Sequence, residues 1–120
     1  MSWTDSDIAQ PDEQSDRPKA SILGDLRKGD EFSLTFESNG DEVTRDHGTQ
    51  VAFDAVVHDI PSRVYTWSDE VVREGDSISF ETSSSRLLLK LSNEMPLEGK
   101  TIKITVNGTG YDADYSIEEL

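Results

Sequence analysis

The chain of 120 residues is long enough for one domain with a single hydrophobic core. It contains no cysteine, no apolar run near the ~20 residues of a membrane helix and no signal-peptide pattern, which excludes disulfides and thiolate metal sites and predicts a cytoplasmic protein without a membrane role. Its 25 acidic residues face 11 basic ones, a net charge of −14. This composition resembles that of cytoplasmic proteins of extreme halophiles, in which molar salt screens the repulsion, and the alternative is an ordinary acidic protein with an acidic tail.

Residues 1–20 are predicted to form a disordered acidic tail. They show no hydrophobic periodicity, and Pro11 and Pro18 disfavour a helix. Trp3 and Ile8 are the exceptions in this polar segment. They are interpreted either as part of an inert tail or as a short acidic and hydrophobic motif. Such a motif would bind a partner protein or, as a DNA mimic, the domain's own binding face.

Three later segments alternate between apolar and polar residues, which is the pattern of half-buried β-strands. They are residues 31–38, 49–59 and 77–82. Residues 21–28 fit either one helical turn or a lead-in strand. The Asn-Gly-Asp sequence at 39–41 predicts a turn, and the polar segment that follows it is predicted to be a loop.

Residues 63–67, with the sequence RVYTW, are predicted to form a short aromatic strand. Together with residues 77–82 they fit either one bulged third strand or two separate strands. On a strand, Arg63, Tyr65 and Trp67 project from one face, while the valine between the first two points towards the core. A planar cation and two aromatic rings on one face are what the stacking of unpaired bases requires.

Residues 84–93 are predicted to form a helix, because leucine favours helices and a serine triplet offers an N-cap. A strand (RLLLKLS) is the alternative interpretation. Pro96 and Gly99 would end the helix. Residues 101–106 and 115–117 alternate again on either side of a glycine-containing loop, which predicts a closing hairpin.

The order of strands, one helix and a hairpin is that of a five-stranded OB barrel. The predicted fold class is therefore all-β, an OB-like five-stranded barrel with one short helix before the C-terminal hairpin, and it spans residues 21–120. The predicted core consists of Phe32, Leu34, Phe36, Val51, Phe53, Ala55, Val57, Ile78, Phe80, Leu87, Leu91, Ile102, Ile104, Val106 and Ile117.

The last third of the chain resembles the C-terminal part of small OB-fold single-stranded-DNA-binding proteins of phages and plasmids. These end in a helix, a Gly-Lys-apolar-x-apolar strand, a glycine loop and a Tyr-x-apolar strand. The matching segments here are residues 87–91, 99–104, 108–110 and 115–117. The resemblance implies an OB fold that binds single-stranded nucleic acid.

Six residues are predicted to bind nucleic acid. They are Arg63, Tyr65, Trp67, Lys100, Lys103 and Tyr111. The rings at 65 and 67 would stack on bases and the cations would contact phosphates, while positions 100 and 111 flank the hairpin whose loop contacts ligands in OB folds. In the alternative, the two rings pack under the helix or the tail and only the arginine is exposed.

No catalytic, metal-binding or cofactor-binding motif is present. The chain lacks G-x-S-x-G, H-E-x-x-H, a P-loop and a dinucleotide fingerprint, so no enzyme activity and no cofactor are predicted. His47 beside Asp46 is a candidate metal ligand that is interpreted as a solvated loop histidine. Acidic pairs such as Asp112 and Asp114 follow from the acidic composition.

Two functions are therefore predicted as alternatives. The first is a single-stranded nucleic-acid-binding module that works at high salt through aromatic stacking. The second is a protein–protein interaction or structural module of a halophile, without a nucleic-acid role, that uses the acidic N-terminal tail and an edge strand. They differ in whether Tyr65 and Trp67 are exposed to solvent on a concave face.

Overall fold

A computed structural model describes residues 17–46, 48–109 and 113–120, and these residues form a β-sheet with one α-helix. The strands and the helix are β1 (Lys19–Ala20), β2 (Glu31–Phe36), β3 (Asp41–Arg45), β4 (Gly48–Asp59), β5 (Ser77–Thr82), α1 (Ser85–Ser92), β6 (Thr101–Gly108) and β7 (Asp114–Glu119). A short 3₁₀ turn covers Leu23–Asp25. The all-β class with one helix before a C-terminal hairpin is confirmed.

The strands form one open seven-stranded sheet, so the expected closed five-stranded barrel is wrong. The strand order is β1-β5-β4-β2-β6-β7, with β3 beside β4. All neighbours are antiparallel except β1 and β5. On the edge of β5 opposite β4, β1 pairs with Ser79 and Phe80. That pairing occupies an edge that would have to accept another strand for the sheet to close on itself.

The twelve-residue strand β4 organises the sheet. Along one edge it pairs with β5, and along the other it pairs first with β3 and then with β2. The sequence did not predict β3, because Val43 is the single buried residue of its five and no alternation is visible. A tight turn precedes this strand, since Gly40 adopts a φ of 91° that disfavours other residues.

The alternating apolar residues form the core as predicted. Fourteen of the fifteen residues expected there are buried, and Ile117 is partly buried against them. Phenylalanine rings link the strands: Phe36 and Phe53 pack edge-on at 5.4 Å between centroids, and Phe53 stacks on Phe80 at 6.1 Å. Burial of these rings makes β2, β4 and β5 one hydrophobic unit.

The helix forms as expected, and the strand alternative for this segment is wrong. Ser84 caps it, because its hydroxyl accepts a hydrogen bond from the Leu87 N–H at 3.4 Å. Leu87 and Leu91 lie one turn apart and are both buried. Within the described ranges, no helix has the length and apolar character needed to cross a membrane.

The sheet begins within the segment that was expected to be a tail. Ala20 is fully buried, and the carbonyls of Pro18 and Lys19 accept hydrogen bonds from the N–H groups of Ser79 and Trp67, at 2.9 and 2.8 Å. Residues 19 and 20 therefore belong to the folded domain. The expected disordered tail therefore does not extend to residue 20, and residues 1–16 lie outside the described part of the chain.

Candidate binding site

The connection between β4 and β5 contains a short hairpin, residues 64–72, which we call the arm. Its two sides meet at an antiparallel bridge between Tyr65 and Val71 and at hydrogen bonds that join Thr66 to Glu70 and Val72 to Val64. The expected aromatic strand is thus one side of a hairpin outside the main strands. It is neither a bulged part of β5 nor a full strand of the sheet.

Alternation along the arm exposes both aromatic residues, as predicted. Val64 is fully buried and Thr66 is 8% exposed, whereas Tyr65 and Trp67 are 45% and 44% exposed. The rings are thus about half exposed, and the alternative in which the tail covers them falls on residues 1–16, outside the described part of the chain. Two half-exposed rings at adjacent outward positions form a surface that a ligand can contact.

Trp67 is held in place by three contacts. Its indole Nε1–H donates to the Ser21 hydroxyl at 2.9 Å, and its backbone N–H donates to the Lys19 carbonyl. The guanidinium of Arg45 lies 5.6 Å from the ring centroid, within the range of a cation–π interaction. The ring orientation is therefore fixed before any ligand binds.

Arg45 is itself fixed by a buried carboxylate. Its Nε donates to Glu81 Oε1 at 3.0 Å and a second N–H donates to Oε2, while the Glu81 side chain is fully buried. The hydrogen bond to Glu81 raises the pKa of Arg45 further above its ordinary value. Sequence reasoning missed this pair, because β3 was not predicted and the partners lie 36 positions apart.

A cavity of about 250 Å³ lies between the arm and the 3₁₀ turn. Its lining consists of Ser21, Ile22, Gly24, Asp25, Tyr65, Thr66, Trp67 and Asp69. The Asp25 carboxylate accepts the Tyr65 backbone N–H at 3.1 Å, which ties the turn to the arm. Two carboxylates and two aromatic rings line the cavity, and none of its described lining residues is basic.

Arg63 is exposed at the surface but is paired with an acid. Its guanidinium donates to the Asp30 carboxylate, which also accepts the Arg27 backbone N–H at 2.7 Å. The hydrogen bond from Arg63 is the main cause that holds the pKa of Asp30 below its usual value, and the bond from the Arg27 N–H adds to this effect. A phosphate would therefore have to compete with Asp30 for this cation.

The predicted lysines lie elsewhere on the sheet. Lys103 is 3.2 Å from Glu118 and 3.9 Å from Glu31, and the bond to Glu118 raises its pKa. Lys100 donates to the Glu94 carbonyl at 2.7 Å, and its Nζ lies 3.8 Å from a carboxylate oxygen of Glu119. Both lysines are thus occupied by neighbouring acceptors.

The five predicted site residues that the structure describes do not lie together on one surface. Arg63 bonds Asp30, whose backbone pairs with Val106, whereas Lys100 stands six residues earlier, just before β6. At ~3.3 Å per residue, that separation is about 20 Å along the strand. The sixth residue, Tyr111, lies outside the described residues, as does His47.

Comparison with models of known protein families, with characterised proteins and with solved structures finds no significant match for this chain. Among the described residues, no three histidine, cysteine or acidic side chains are grouped so as to hold a metal ion. A function must therefore be argued from the geometry of the arm and the cavity beside it.

Proposed function

We propose that the chain is a protein-interaction module that binds a positively charged segment of a partner protein at the arm. The observation that carries this proposal is the composition of the cavity. Tyr65 and Trp67 expose their rings beside Asp25 and Asp69, with no basic side chain among the described lining residues. Aromatic rings and carboxylates together attract cations and repel phosphates.

The distribution of exposed apolar side chains supports the arm as a contact surface. Five large hydrophobic residues are exposed among the described residues: Tyr65, Trp67, Val71, Leu89 and Leu120. Three of the five belong to the nine-residue arm. Tyrosine and tryptophan are the residues most often found at the energetic centre of protein interfaces, because they bury a large area with few rotatable bonds.

The carboxylates of the cavity disfavour two obvious occupants. A second copy of this chain carries the same net charge of −14. The N-terminal segment 1–16 contains five acidic residues and no basic one. Both would bring further negative charge to a site lined by carboxylates, so the favoured partner is a different, basic protein. In molar salt only short-range contacts persist, which is where the rings and the carboxylates act.

The second candidate function is the binding of single-stranded nucleic acid by an OB-like fold. Two neighbouring exposed rings suit base stacking, at ~1–3 kcal/mol per base. The chain order of strands, helix and hairpin is compatible with a partly open OB-type barrel. The pairing of Arg63, Lys100 and Lys103 with acceptors of the chain itself makes this candidate the weaker one.

The setting that we propose for either function is a salt-rich cytoplasm. The acidic composition and the absence of cysteine support it. Binding experiments therefore belong in molar potassium chloride.

Tryptophan fluorescence distinguishes the two functions. In a Trp3→Phe variant, Trp67 is the single tryptophan. We expect a saturable change on titration with a basic peptide of alternating glycine, arginine and lysine, and none with oligothymidine. Tyr65→Ala should abolish the change, whereas Leu89→Ala, which removes an exposed side chain of α1, should not. A response to the oligonucleotide alone would support the second candidate and contradict the first.

A further inference from the structure

We propose that the cavity between the arm and the 3₁₀ turn receives one arginine side chain of the partner and discriminates against lysine. This inference rests on the proposed function and adds the chemical identity of the group that is bound. In the proposed complex, the guanidinium lies between the exposed rings of Tyr65 and Trp67 and bonds the carboxylates of Asp25 and Asp69.

The size of the cavity limits its occupant. At about 250 Å³ it is smaller than the ~300–1,000 Å³ pockets that enclose drug-sized ligands. One long side chain fits such a volume, whereas a folded element does not. The partner is therefore expected to insert a single residue there and to contact the rest of the arm with its backbone and neighbouring side chains.

The lining favours a guanidinium over an ammonium. A guanidinium is flat, stacks on aromatic rings, offers five N–H donors in a fork that matches carboxylates, and is less strongly hydrated than an ammonium. The cavity offers the matching groups, which are two aromatic rings and two carboxylates. A lysine would gain the charge interaction but neither the stacking nor the forked hydrogen bonds.

The protein already holds one arginine by this chemistry. Arg45 lies over Trp67 and forms two hydrogen bonds with the carboxylate of Glu81. Arg45 does not line the cavity, so an arginine from a partner would have to use the part of the Trp67 ring that faces the cavity. That internal example shows that the Trp67 ring accepts a guanidinium in this chain.

The two carboxylates of the cavity are placed by the backbone. Asp25 is tied to the arm by the Tyr65 N–H, which bonds one of its two oxygens. Asp69 stands at the tip of the arm with φ of 62°, and its N–H donates to the Thr66 carbonyl at 3.0 Å. Its carboxylate has no partner among the described residues, so it can accept both donors of an incoming guanidinium.

Three matched peptides test the inference in the Trp3→Phe protein in molar potassium chloride. They have the same sequence with arginine, lysine or citrulline at one central position, and Trp67 fluorescence reports binding. Citrulline keeps the length and planar shape of the arginine side chain, but an uncharged urea group replaces the guanidinium. We expect a Kd at least tenfold lower for the arginine peptide than for the lysine peptide, and weaker binding still for citrulline.

Variants test whether arginine binding depends on the two carboxylates of the cavity or only on the net charge of the protein. Asp69→Asn should reduce the preference for arginine to less than threefold, and Asp25→Asn, which retains an acceptor for the Tyr65 N–H, should weaken arginine binding at least fivefold. Glu74→Gln removes one charge from an exposed residue that does not line the cavity and should change neither value. Equal binding of arginine and lysine peptides would overturn this inference and leave the proposed function standing. Binding of neither peptide would overturn both.

Discussion

The guanidinium of Arg45 connects the exposed ring of Trp67 to the fully buried carboxylate of Glu81. The Cζ atom of Arg45 lies 5.6 Å from the indole centroid, and the guanidinium N–H groups donate to both carboxylate oxygens of Glu81. Because Glu81 belongs to β5 and Arg45 to β3, the surface of the arm is coupled to the packing of the sheet. The orientation of Trp67 therefore depends on an ion pair whose two residues do not line the cavity.

Removal of the arginine from this pair should destabilise the fold strongly. Arg45→Met leaves the Glu81 carboxylate buried without its partner, and we expect the free energy of unfolding to fall by about 3 kcal/mol. Urea denaturation in molar potassium chloride, followed by circular dichroism, measures it. The double variant Arg45→Met, Glu81→Leu should recover most of the loss, because it removes the buried charge as well. Equal losses in the single and double variants would contradict the proposed cause.

A surface ion pair provides the comparison for this prediction. Lys103→Met removes an exposed lysine that pairs with Glu118 across neighbouring strands. Lys103→Met should lower the free energy of unfolding much less than Arg45→Met does, since both partners of this pair remain accessible to water. The contrast would show that burial of Glu81, and not the number of ion pairs, makes Arg45 important.

Strand positions and the core were predictable because a period of two is a local signal. Residues such as Phe32, Phe36 and Phe53 are buried where the alternation placed them. β3 escaped prediction because its residues are mostly polar and its place depends on the long strand β4 beside it. Closure of the sheet was mispredicted because the pairing of β1 with β5 involves only two residues, too few to leave a pattern.

The candidate site was predictable in part for the same reason. Exposure of Tyr65 and Trp67 follows from local alternation. The acids that surround them do not, since Asp25 reaches Tyr65 across 40 positions and Asp30 reaches Arg63 across 33. Such pairings are set by tertiary structure. The chemistry of the rings was therefore visible in the sequence, while the sign of the charge around them was not.

Truncation should reveal where the domain begins. Deletion of residues 1–16 is expected to leave the melting temperature unchanged. Deletion of residues 1–20 removes buried Ala20 and the carbonyls that bond Ser79 and Trp67. At ~1 kcal/mol per hydrogen bond, the loss is about 2 kcal/mol, or a Tm lower by about 10 °C. Thermal melts of both truncated proteins, with Trp67 emission as a second probe, measure this difference. Equal Tm values would show that the folded domain begins after residue 20.

The ion pair of Asp30 should appear in the acid stability of the protein. Because Arg63 and the Arg27 N–H lower the pKa of Asp30, its ionised form stabilises the fold. This contribution is fully present above the unfolded pKa of ~3.9 and is lost as the pH falls through the lower folded value. Asp30→Asn should thus be less stable than the parent at pH 7, and the difference should shrink as the pH falls below the unfolded pKa of ~3.9.

Melting temperatures between about pH 2.5 and 7, at one fixed potassium chloride concentration, measure this difference. The Asn side chain retains an acceptor for the Arg27 N–H, so the variant mainly removes the charge. Glu74→Gln serves as the control, because no hydrogen bond or ion pair of its carboxylate is formed with the described residues. A stability difference that stays constant with pH would show that Asp30 acts through its shape and not through its charge.

Salt should stabilise the fold even though it weakens each surface ion pair. Screening reduces attractions such as that of Lys103 and Glu118, but with 25 acidic residues against 11 basic ones the repulsion between like charges outweighs these attractions. We expect the Tm to rise steadily from about 0.1 to 3 M potassium chloride. Replacement of Glu74 and Glu98 by lysine removes two negative charges, adds two positive ones and changes the net charge from −14 to −10. That variant should reach the same Tm at a lower salt concentration, whereas complete β-sheet circular dichroism and an unchanged Tm without added salt would show that repulsion does not limit folding.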